Sequence, residues 1–262
     1  MALLRVTTNI EQELKKLGDR AALLTSRNVS YMTARAMTQS AQAAQAELRA
    51  QMPRYIQGGP VPFTLNSTFV RFARPSNLSV TIGFREFASK GTAAGRYLNY
   101  MAEGGGRVHK STERQLVRAG LIRSNQYLVP TGRAPLTLNS HGNLTGGTYT
   151  QMLSRLKALG QQGYLGNVSS SRRSQRKRQD RDYFIGRPGG RPLGVYLRVG
   201  PGGPRGGAPR GFDTMFYITR QPQYRMTFPI QQIIEDAYLE AWPGLFRAAF
   251  EAEIGRRFAG RL

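Results

Sequence analysis

Cysteine is absent from all 262 residues, and with it go disulfides, thiolate-bound zinc, iron–sulfur clusters and thiol nucleophiles. Histidine occurs only at His109 and His141, too few for a histidine-based metal site. Acidic residues number 15 against 38 Lys and Arg, which leaves a formal charge of +23. No window approaches the roughly 20 apolar residues that span a bilayer. Met1–Thr8 holds only Ala2-Leu3-Leu4 before Arg5, well short of a secretory signal's apolar stretch. The expectation is a protein made and used in a cytoplasm, or packaged into something assembled there, with no membrane role.

What is present is a real core and a great deal of positive charge. Hydrophobic residues make up 40% of the chain and aromatics 10%, which excludes global disorder. The densest basic stretch is Ser169–Asp182, with Arg172, Arg173, Arg176, Lys177, Arg178 and Arg181 against two Asp and no apolar residue. Such a segment has nothing to bury against the entropy of ordering it. It reads as a solvated loop, ordered only by a polyanionic partner if it has one. Charge of this kind speaks to partners rather than to fold: nucleic acid, an anionic surface or an acidic protein neighbour.

The elements suggest an α+β chain, divided at residue 57: an N-terminal helical arm (1–57) and an α+β domain (58–262) carrying the basic loop 169–182 and the Gly/Pro loop 200–211. Ile10, Leu14 and Leu17 recur at helical spacing. A second helix, capped at Ser30, runs to Met52 before Pro53, and its small polar middle Ser40–Ala46 suits close packing on its own core or on a second copy. Phe63–Ala73 and Leu78–Phe87 read as two strands joined at Pro75-Ser76-Asn77. Helices follow at Gly95–Ala102, Ser111–Ala119 and Thr148–Leu159, the turn-rich stretch Tyr127–Gly147 lying before the last. Then come strands at Tyr183–Ile185, Leu193–Val199, Phe212–Thr219 and Tyr224–Phe228, forming an antiparallel sheet with helices on it. A helix starts at Pro229 and is interrupted at Pro243-Gly244. The last helix carries Phe246, Phe250, Ile254 and Phe258 as an i, i+4 stripe that must dock on its own domain or on a neighbour.

Candidate chemistry is sparse. Gly104–Ser111 imitates a phosphate-binding loop, but His109 stands where a glycine is needed before Lys110, and helix precedes it instead of strand. Pro201 and Pro204 remove N–H donors from the other glycine-rich loop. Glu235, Asp236 and Glu240 are the residues a Mg²⁺-dependent nuclease would need, yet neighbouring carboxylates on one helix diverge. His109 and His141 read as exposed loop residues. No catalytic group, cofactor or metal is assigned. Arg interleaved with Tyr183, Tyr196, Tyr217 and Tyr224 permits phosphate contact with stacking. No helix-turn-helix, RNA-recognition or zinc-finger pattern appears, so any nucleic acid would be held through its backbone.

The order of these features resembles the tail-completion and head–tail joining proteins of tailed bacteriophages, the group that includes minor tail protein Z. The residues that carry the resemblance are Thr33–Ala44, Tyr97-Leu98, Glu103-Gly104-Gly105-Gly106-Arg107, Val129-Pro130, His141-Gly142-Asn143-Leu144, Tyr183–Gly186, Gly194-Val195-Tyr196 and a C-terminal helix ending in basic residues. The resemblance implies a virion structural protein of the neck or tail, acting as a homo-oligomeric ring between portal-side and tail proteins, with possible contact to the DNA backbone. Phe246, Phe250, Ile254 and Phe258 would then be an assembly stripe. The alternative is a basic, sequence-nonspecific nucleic-acid-binding protein.

Overall fold

The computed structural model describes residues 10–18, 24–89, 91–131, 138–160, 166–167, 169, 171–172, 182–199 and 211–258. They form an α+β fold of helices and antiparallel sheets. The chain divides into two compact units, Met1–Gly104 with Arg225–Leu262, and Gly105–Tyr224. The boundary expected after residue 57 falls inside the first unit. The reason is that the N-terminal helices do not stand apart: they share one core with the C-terminal helix.

In the first unit, α1 (Ile10–Lys16) has its acids Glu11 and Glu13 in the first turn and Lys15 and Lys16 in the last, matching the helix dipole. Helix α2 (Ser26–Tyr55) starts four residues earlier than Ser30, because Thr25 is the extended residue at its head. Ser30 Oγ instead donates back to the Ser26 carbonyl at 3.0 Å. The helix also continues past Pro53, and the Ile56 N–H closes its last turn on the Met52 carbonyl at 3.0 Å.

Met37, Ala41, Ala44, Leu48 and Met52 follow a helical period and are buried. They face α7 (Ile230–Phe258) of the same chain, so the small-residue stripe serves the chain's own core. The two helices run antiparallel. Asn28 near the start of α2 donates to Glu253 near the end of α7 (2.7 Å), while Tyr55 stacks on Phe228 before α7 at 4.8 Å between centroids. Contrary to the sequence reading, α7 is one helix through Pro243-Gly244. Pro243 has no N–H to give the Leu239 carbonyl one turn back, and Leu239 is 52% exposed, so the missing bond falls at a solvent-facing position of the helix.

The segment read as a strand from Phe63 is first a short helix, α3 (Pro62–Leu65), because Pro62 suits a first helical position. The hairpin β1 (Thr68–Arg71) and β2 (Thr81–Phe84) pairs Thr68 with Phe84 and Arg71 with Thr81. Its turn is closed by reciprocal backbone bonds between Arg74 and Asn77. Val80, Ile82 and Phe84 point into the core, as their alternation predicts. Helix α4 (Ala94–Glu103) adds Ala94 and Leu98 to it and ends at Gly104, whose φ of 73° suits glycine.

The second unit opens and closes on one small ribbon, β3 (Gly105–Gly106) against β8 (Gln223–Tyr224). The expected strand Tyr224–Phe228 is thus shorter and earlier, and Phe228 is fully buried in the first unit's core. Between them lie α5 (Ser111–Arg118), β4 (Tyr127–Pro130), α6 (Gly146–Arg155), β5 (Asp182–Gly186), β6 (Gly194–Val199) and β7 (Gly211–Thr219). The sheet order is β4-β7-β6-β5, all antiparallel. The turn-rich stretch after Tyr127 therefore begins as a sheet strand. Helix α6 ends sooner than Leu159 because Lys157 takes a left-handed conformation, φ 56°. Leu116, Leu128, Met152, Val195, Met215 and Phe216 are among the residues that form this unit's separate core.

Candidate polyanion and assembly surfaces

Charge is divided very unequally between the two units. Residues 105–224 hold 20 Lys and Arg against four acids (Glu113, Asp180, Asp182 and Asp213), a net +16, while the rest of the chain holds 18 against 11, a net +7.

Glu113 is removed from the surface altogether. It is 1% exposed and Arg107 3%. Arg107 Nη1 donates to Glu113 Oε2 at 2.6 Å, and Arg107 Nη2 to Oε1 and to the Leu128 carbonyl. The Lys110 and Leu128 N–H groups complete the carboxylate's set at 2.6 and 2.7 Å. Burial alone would raise the Glu113 carboxyl, but the Arg107 hydrogen bonds, then those backbone donors, bring it below the usual carboxylate range. The arrangement locks the start of α5 to β4. It is an internal tie rather than a reaction centre.

Of the sequence-selected basic residues, Arg172 is exposed. Arg173, Arg176, Lys177, Arg178 and Arg181 lie outside the described residues, as does most of the Gly/Pro loop. The topology nonetheless fixes where both segments attach. Asp182 pairs with Arg198, and Val199 with Gly211, so the start of β5, the end of β6 and the start of β7 share one end of the sheet. Of the four tyrosines interleaved with Arg, Tyr183 and Tyr196 are buried, whereas Tyr217 and Tyr224 are 39% and 42% exposed. Phe184 and Phe212, which the sequence reading did not single out for binding, lie half-exposed on this sheet. Their alternation with Tyr183, Ile185 and Asp213 was the available signal.

The C-terminal stripe is spent internally. Phe246 and Phe250 are 1% and 0% exposed, inside the first unit's core, and Ile254 packs partly buried against it. An assembly role for these side chains has no surface to act through, and the stripe docks on its own unit. Phe258 ends α7, and its side chain lies outside the described residues. Exposed apolar surface occurs elsewhere in the unit, at Phe63 (48%), Phe72 (60%) and Phe87 (84%), along the chain that enters and leaves the β1–β2 hairpin.

Neither histidine is the exposed loop residue expected. The His109 ring lies on Tyr127 at 4.3 Å between centroids, with Nε2 3.0 Å from the Gln126 carbonyl, and His141 is half-buried. Glu235 accepts from Gln231 on its own helix, and Asp236 and Glu240 are exposed. Among the described residues no group of three His, Asp or Glu is placed to hold a metal ion, and no helix is long and apolar enough to cross a membrane. Comparison with protein-family models, curated proteins and solved structures finds no match.

Proposed function

We propose that the chain is a structural component of a tailed-phage virion, a tail-completion or head–tail joining protein that works as a multimeric ring in the neck or tail and is assembled in the host cytoplasm. The observation that carries this reading is the exposed apolar surface around the β1–β2 hairpin. Large side chains such as Phe72 and Phe87, left in water on a chain with a well-filled core, are the material of subunit contacts. The order of sequence features resembling that phage group supports the same reading. The ring's neighbours would be portal-side and tail proteins.

The test is light scattering of nuclease-treated protein in high salt, where self-repulsion at +23 is screened. A closed oligomer of fixed stoichiometry, broken to monomer by Phe72→Ser with Phe87→Ser, is the expected result. A monomer at every concentration, alone and with purified neck or tail particles, overturns the reading.

A second reading, a basic protein that holds nucleic acid without sequence preference, is favoured by the +16 concentrated in residues 105–224. The logarithm of its affinity for any duplex would fall steeply and linearly with the logarithm of salt concentration.

A further inference from the structure

The outer face of the β5–β6–β7 sheet is built unlike an ordinary solvent face. With Tyr183, Ile185, Val195, Leu197, Phe216 and Ile218 turned toward the second unit's core, pleating sends the alternate residues to the other side. These are Phe184 on β5, Tyr196 and Arg198 on β6, and Phe212 and Tyr217 on β7. The register aligns them: Phe184 with Tyr196, Arg198 with Phe212, and Gly194 with Tyr217. A bulge between Val195 and Tyr196 shifts the register of β7 so that Phe212 and Tyr217 share this face despite their odd spacing.

The rings form one layer. Phe184 lies 5.7 Å from Tyr196 in a stacked arrangement and 5.3 Å from Phe212 edge-on. The Arg198 guanidinium sits 5.0 Å from the centre of the Phe184 ring. Tyr196 packs against Gly194, where there is no side chain: a Cβ there would meet the Phe216 carbonyl oxygen at 2.5 Å and the Tyr196 ring at 3.2 Å. The hydroxyl of Tyr196 donates to the Pro192 carbonyl. The layer is thus fixed from below by Tyr196, while Phe184 and Phe212 stay half-exposed and Tyr217 and Arg198 exposed.

We infer that this face is a stacking platform for the unpaired bases of a single-stranded nucleic acid. The inference rests on the second reading above, that the basic unit holds a polyanion, and gives that reading a site. Phe184, Phe212 and Tyr217 place three rings on this one face, with Arg198 among them, within reach of successive bases of an extended strand. Flat aromatic surface with arginine is what sequence-tolerant single-strand binding uses, because every base offers a π-face. A duplex keeps its base faces stacked internally and cannot use the platform. An acidic protein would match the charge, but it has no use for aromatic rings left exposed beside arginine.

The experiment measures binding of the full chain to labelled oligothymidylate, to an abasic oligomer of the same length, and to a duplex. Oligothymidylate is expected to bind at least tenfold more tightly than the abasic strand. Tyr217→Ala and Phe212→Leu should each weaken it about 5- to 100-fold, with abasic and duplex binding unchanged. Phe212→Leu keeps apolar volume, and Tyr217 is exposed, so neither change threatens folding; circular dichroism checks this. Equal binding of the abasic strand and oligothymidylate overturns the platform while leaving the charge reading intact. The absence of binding to any of the three at low salt overturns both.

Discussion

Glu113 receives its hydrogen bonds from three different places in the chain, and losing it would be felt in all of them. Removing one partner of a buried pair leaves the other charged and unpaired, at a cost of roughly 3–5 kcal/mol. Glu113→Gln is expected to destabilise the second unit by about that amount. The checking measurement is hydrogen exchange at the Leu128 amide. The same carboxylate sets an acid limit. Because its folded pKa is depressed, its contribution is present above the ordinary carboxylate range and is lost as pH falls through that range and below. Protection at Leu128 should therefore decline on acidification in the wild type and stay flat in Glu113→Gln. A change of opposite sign is expected at Thr33 on α2, whose hydroxyl is buried without a partner. Thr33→Val keeps the shape and discards the stranded hydroxyl, so denaturant unfolding should show a gain of about 1 kcal/mol. Little of this was legible beforehand. A Glu three residues into a helix is visible in sequence, but its backbone donor at Leu128 depends on where β4 returns.

Helices α2 and α7 are the elements on which the first unit depends. Ala41 and Ala44 are both 0% exposed and set how closely the two helix axes approach. Ala44→Leu has no room to enter and is expected to cost about 1–3 kcal/mol or more, read as a drop in the denaturation midpoint. Phe250→Ala, on the facing helix, should cost about 3–5 kcal/mol through the cavity it leaves. The period-3.6 pattern made both helices legible, and the alternation at Val80, Ile82 and Phe84 made β2 so. The errors came where one residue was given too much weight. Pro243 removes one helical hydrogen bond, at the exposed Leu239, and α7 runs on through it, while the aromatic stripe said nothing about which surface would cover it. On the candidate surface, sequence revealed the charge but not the sidedness: four tyrosines looked equivalent, yet pleating turns Tyr183 into the core, Tyr196 is covered on the opposite face, and Tyr217 and Tyr224 stay exposed.

At the scale of the whole chain, the second unit is an insertion into the first. It leaves after Gly104 and returns at Arg225, and its first and last residues, Gly105 and Tyr224, are strand partners. Replacing residues 105–224 by a short Gly/Ser linker should therefore leave the first unit folded. Trp242, 4% exposed in that core, reports it through an unchanged fluorescence maximum. The helical arm read as residues 1–57 was drawn from adjacency in sequence, which cannot show that its partner lies beyond residue 225. The ribbon at Gly105 and Tyr224 also bears on the order of events during folding. Were the insertion a slack coil, bringing α2 against α7 would mean closing a loop lengthened by about 120 residues. Once the insertion has folded, its ends are adjacent and that length vanishes from the path, an entropic saving of about 1 kcal/mol for the host. The insertion thus acts as a reversible staple, and melting it alone should make the helix pair slower to form and easier to part.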